Sequence, residues 1–202
     1  MELHEALSQI SAIREHVARA ETFRGYRSAI VGVSSLACLA AAAAQSIWIQ
    51  HPQQTPERWL ALRVVTAAFC LATVGVEMAW RHRRGAATHA AKLTWLAVEQ
   101  FLPCVVAGGL LTAVLNCFAP ESLPLLPGLW AVLFGLGVFA SCRLLPRATF
   151  WVGAYYLFAG AAALALGQGE RSFSPWLMVG SFGVGQALTA VVLYWHLERR
   201  HG

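Results

Sequence analysis

The chain has 202 residues, 57% of them hydrophobic and only 12% charged, with a mean hydropathy of +0.55. A soluble domain carries about 25% charged residues, so a water-facing surface cannot be covered and much of this one is expected to face lipid. The net charge of +5 does not point to nucleic acid, because the basic residues lie between apolar stretches instead of in one patch.

Residues 2–24 are too polar to span a bilayer, yet they are patterned. Leu3, Ile10 and Val17 recur every seven residues, and Ala6, Ile13 and Ala20 repeat the spacing three places on. That is an a/d seam, widened by Leu7, with Glu15 and Arg19 able to pair at i,i+4. Residues 1–25 are therefore expected to form a cytoplasmic amphipathic helix that lies on the bilayer or docks a helix of a second copy or of a cytoplasmic partner. The acidic residues Glu2, Glu5, Glu15 and Glu21 offset the arginines of the segment, which argues against simple adsorption to an anionic membrane.

Residues 26–202 read as one all-α membrane bundle. A helix needs about 20 apolar residues to cross the hydrocarbon core. Six stretches qualify, near 29–49, 59–80, 93–117, 125–142, 148–166 and 176–197. The polar run before the first stretch is too long for a secretory signal, so cleavage there is not expected. Short turns rich in Pro, Gly and Ser join the spans, as at His51-Pro52, Ala119-Pro120 and Gly167-Gln168-Gly169, so neighbours should pack antiparallel.

Alternate connections hold twelve of the fifteen Lys and Arg residues; the opposite side has only Arg58, Arg63 and Arg171. The rich side is expected to be cytoplasmic, with both termini on it. The eight tryptophans fall near span ends and are expected to form two interfacial belts, Trp48, Trp59, Trp130 and Trp176 outside and Trp80, Trp95, Trp151 and Trp195 inside.

Ionisable groups inside spans cost about 2.5–3.5 kcal/mol on insertion scales, so each calls for an explanation. Arg63 is close enough to the outer boundary to snorkel. Glu77 precedes Arg81 by one turn and is expected to pair with it. Glu99 lies seven residues beyond Lys92, about 10 Å deeper at 1.5 Å per residue. Gln100 adjoins it, and Pro103 deprives the Glu99 carbonyl of its usual backbone donor. Glu99, Gln100 and Glu77 thus form a candidate intramembrane polar site, with Arg143, Arg147, Lys92 and Arg81 as candidate ion-pair partners. That cluster suits either a structural ion pair or the site of a small solute or ion carrier. Gln45, Asn116, Tyr155, Tyr156 and Gln186 are candidates for hydrogen bonds between helices. Small-residue pairs at four-residue spacing, such as Ala131/Gly135, Gly137/Ser141, Gly109/Ala113 and Ala159/Ala163, permit close helix contact.

The signals for catalysis are missing. The histidines sit outside the spans or at their ends, the five cysteines contain no C-x-x-C pair, and the chain has no aspartate. No metal or cofactor is expected, and the chain is read as non-enzymatic. The stretches Val98-Glu99-Gln100-Phe101-Leu102-Pro103 and Arg143-Leu144-Leu145-Pro146-Arg147 resemble those of a group of bacterial six-span membrane proteins of similar length. The resemblance implies placement in the inner membrane and assigns no site residues.

Overall fold

The computed structural model describes residues 28–83, 88–142, 147–167 and 169–195. Every regular element among them is helical. The expected N-terminal seam, Leu3 to Ala20, lies outside the described residues, as does His196. Six helices are long and apolar enough to cross a membrane. They are α1 (Ser28–Trp48), α2 (Pro56–Arg83), α3 (Thr88–Phe118), α4 (Leu126–Ser141), α5 (Thr149–Leu166) and α6 (Pro175–Leu193).

Local chemistry sets their ends. Pro56 and Pro175 occupy first-turn positions, where the missing N–H has no partner to lose. Gly169, at φ +59°, makes the turn after α5 in a conformation that other residues seldom adopt. The fourth span gains a 3-10 turn, Pro120–Leu125, that leads directly into α4 and extends the apolar segment to Pro120–Ser141. α3 runs unbroken through Pro103.

The helices pack in an order that differs from chain order. α1 lies between α2 and α6, α5 lies between α6 and α4, and α3 packs on α4. The tightest pairing is α4 with α5, and glycines explain it. Gly128 and Gly135 on α4, and Gly153 and Gly160 on α5, are each seven residues apart and so share one face of their helix. A Cβ on Gly128 would meet the Gly160 carbonyl oxygen at 2.9 Å, and a Cβ on Gly160 would meet that of Gly128 at the same distance. Backbone lies against backbone there. In lipid, where tails are as apolar as leucine, such contact is a main source of helix association. Of the four-residue pairs, Ala131/Gly135 and Gly137/Ser141 are buried, whereas Gly109 faces open space.

Two aromatic clusters tie the bundle together. At mid-depth, Phe134 of α4 meets Phe101 of α3 at 4.8 Å, Tyr156 of α5 at 4.7 Å and Phe182 of α6 at 5.7 Å. Four helices thus share one core. The second cluster holds Trp59, Leu60, Leu123, Leu126 and Phe173, with Leu115 and Trp130 against it. It brings the start of α2 together with the connections at Pro120–Leu125 and Gly169–Phe173. Those connections therefore lie at one end of the bundle.

α6 is not a uniform helix. It is α-helical at Pro175–Met178 and Val184–Leu193, with a π-turn at Val179–Gly183 between them. Ser35 of α1 donates to the Gly183 carbonyl at 2.8 Å, and Tyr155 of α5 donates to that of Gly180. Neighbouring helices thus supply donors to the loosened backbone, which has no water to turn to.

Candidate functional site

The buried polar groups converge at the end carrying the second cluster. Gln45 stands near the end of α1 and is 2% exposed; Arg63 lies two turns into α2 and is 4% exposed. The Arg63 Nη2 donates to Gln45 Oε1, and Gln45 Nε2 donates to the Phe173 carbonyl at 2.6 Å. One amide therefore bridges α1, α2 and the Gly169–Phe173 turn. This corrects the snorkelling expected of Arg63. Its guanidinium turns into the bundle, because Gln45 offers an acceptor that an isolated α2 would lack.

Trp59 precedes Arg63 by four residues and so lies on the same face of α2. The guanidinium carbon sits 5.9 Å from its ring centroid, within the range where the aromatic quadrupole attracts a cation. Trp59 also stacks on Trp130 at 6.3 Å and 6°, and meets Phe173 edge-on at 5.1 Å. It is fully buried and belongs to the core, not to the interfacial belt expected from sequence. Trp48, Trp176 and Trp151 are exposed, as belt positions require.

Arg63 has no carboxylate partner among the described residues. Its Nε has no hydrogen-bond partner, and neither does the Trp59 indole Nε1; both atoms are buried. A charge is thus held in the interior by one neutral amide and one ring face. Neither Arg63 nor Trp59 lines the nearby cavity of about 280 Å³. Gln45 and Phe173 form part of its wall, with Ser46, Gln50, Gln53 and Ser174 towards the connections.

The polar site expected from sequence is arranged differently. Glu99 and Gln100 are both exposed on the surface of α3, and Glu77 is half-buried on α2. Arg147 is exposed in the turn before α5, and no ion pair joins it to Glu99 among the described residues. Arg143 and the side chains of Lys92 and Arg81 lie outside the described residues. The structure does not bring Glu99 to Arg63, which lie on helices α3 and α2 at opposite ends of the packing order. Of the uncharged candidates, Gln45 and Tyr155 hydrogen-bond between elements, whereas the buried Tyr156 hydroxyl has no partner.

Six apolar helices around aromatic cores define a multi-pass membrane protein. No family model, curated protein or solved structure matches the chain.

Proposed function

We propose that this is a non-enzymatic protein of the bacterial inner membrane, with both termini cytoplasmic, that docks or regulates a cytoplasmic partner through its N-terminal segment. The observation that carries the reading is the seam Leu3, Ala6, Leu7, Ile10, Ile13, Val17 and Ala20, a helix-pairing stripe ahead of the first span. The cation-rich connections alternate with those around Trp59, Leu123 and Phe173, and this supports the orientation. The two alanines at d positions, Ala6 and Ala20, make the contact weak, which suits a reversible association. A second copy of the chain is the other occupant that fits the same stripe.

Deletion of residues 2–22 tests the reading. The shortened chain should stay in the membrane fraction and lose co-purification of its partner or of a differently tagged second copy. Retention of both associations contradicts it. A small solute or ion carrier working through Glu99, Gln100 and Glu77 draws less support, because Glu99 and Gln100 lie on the outer surface of α3 and not along an enclosed path.

A further inference from the structure

We infer that the outward face of α3 is the surface through which two copies of this chain pair in the membrane. α3 stands at one end of the packing order and rests chiefly on α4 and the Pro120–Leu125 turn. From Phe101 to Phe118 none of its residues is buried, so most of its circumference lies outside the bundle. That outward side is patterned. Glu99, Val106 and Ala113 recur every seven residues, and Leu102, Gly109 and Asn116 repeat the spacing three places on. These are the a and d positions of a helix-pairing seam. All six are exposed.

The middle of the seam is shaped for close approach. Gly109 and Ala113 lie four residues apart there, and a Cβ on Gly109 would meet nothing within 4 Å. A Cβ on the adjacent Gly108 would instead meet Trp130 and Leu133 of α4 at 3.8 and 3.9 Å, so the notch at Gly109 opens away from the bundle. Leu102 and Val106, each about half exposed, stand beside it as knobs. Small residues let two helix backbones come together, which is a main source of association where the solvent is as apolar as leucine.

The polar ends of the seam select the occupant. Glu99 and Asn116 both lie within the span Leu96–Phe118, near its two ends. Among the described residues no hydrogen bond or ion pair holds either side chain. Lipid tails offer none, so a contact that supplies one is favoured. Copies of one chain share an orientation in the bilayer. A two-fold axis along the membrane normal therefore sets each seam residue opposite its own counterpart at equal depth. The Asn116 amide is donor and acceptor at once, and a carboxyl group that holds its proton is the same. Each group thus complements its own copy, positive end to negative end, while small residue meets small residue between them. A helix of another protein would have to carry matching groups at the same two depths.

The test is Förster transfer between donor- and acceptor-labelled copies of the full chain in liposomes, followed through a lipid-dilution series. Gly109→Ile fills the notch without meeting its own bundle, so it should weaken pairing by roughly tenfold or more, the effect of overpacking a close contact. Glu99→Gln keeps a donor and an acceptor and should pair like the parent. Glu99→Leu should weaken pairing by about threefold, the mean worth of one hydrogen bond between membrane helices. Cysteine cross-linking in native membranes checks the geometry in a cysteine-free background. Ala113→Cys should give a disulfide-linked product of twice the chain mass, whereas Val65→Cys, on the outward side of α2, should not. Unchanged pairing in Gly109→Ile, equal cross-linking at the two positions, or an Ala113→Cys product of another mass would overturn the inference. Deletion of residues 2–22 should leave transfer unchanged. Loss of transfer in that deletion while Gly109→Ile pairs normally would assign the second copy to the N-terminal stripe and refute the α3 contact.

Discussion

Gln45 accepts a hydrogen bond from Arg63 through its oxygen while its nitrogen donates to the carbonyl of Phe173. Both ends of one amide are used, and three separate segments depend on it. Gln45→Leu strips a buried guanidinium of its acceptor and a carbonyl of its donor. We expect a loss of about 2 kcal/mol, read from the unfolding midpoint in detergent. Adding Arg63→Leu should recover part of it, because a buried polar pair replaced by apolar residues of similar volume is close to neutral. Strictly additive losses would contradict the coupling.

The α4–α5 seam gives a prediction about glycine. A Cβ at Gly160 would meet backbone atoms of Val132 and Gly128 at 2.8 and 2.9 Å, so the helices must separate to admit it. Gly160→Ala should cost about 1–3 kcal/mol. Gly109→Ala meets nothing within 4 Å and should leave the midpoint nearly unchanged. Equal effects at the two sites would show that α4 and α5 do not pack in this way.

Tyr155 and Tyr156 are neighbours with opposite expectations. Tyr155 donates its hydroxyl to the Gly180 carbonyl in the π-turn, so Tyr155→Phe should destabilise by about 0.6 kcal/mol, the mean for such bonds in a membrane helix bundle. The Tyr156 hydroxyl is buried without a partner, so Tyr156→Phe should be neutral or stabilising by about 1 kcal/mol. Paired melting curves of the two variants check the sign.

A substitution at Gly185 probes the same core. Its Cβ would lie 2.3 Å from Tyr156 Cζ, and Tyr156 is fully buried between Phe134 and Phe182. The ring has nowhere to swing without displacing them. Gly185→Ala should therefore lower the midpoint, and Gly185→Ala with Tyr156→Leu should restore part of it.

The six spans were legible because transfer of backbone into lipid demands long apolar helices, and that demand is written in composition alone. What neighbours each helix was not. Arg63 reads as a residue near a boundary until Gln45, on another helix, supplies its acceptor. Trp59 reads as a belt residue for the same reason, and only the approach of Trp130 and Phe173 makes it core. The seven-residue spacing of Gly128 with Gly135 and of Gly153 with Gly160 is present in the sequence, but glycine is so common in apolar spans that only the approach of α4 to α5 singles these four out. Gly180-Ser181-Phe182-Gly183 carries the π-turn, which depends on donors from Ser35 and Tyr155 and so leaves no local signature. Glu99 shows the reverse case: its neighbours along the chain suggested a buried cluster, whereas the rotation of α3 turns it and Gln100 to the surface.

The threading of the bundle is tested most directly by placing single cysteines at Gln53, Glu121, Arg171 and Arg147 in a cysteine-free background and labelling intact cells with an impermeant maleimide. The fold predicts that the first three label from one side and Arg147→Cys from the other; with the proposed orientation, the first three label from the outside and Arg147→Cys only after the membrane is opened. Labelling of Gln53→Cys and Arg171→Cys from different compartments, or of Arg147→Cys together with them, would contradict six antiparallel spans.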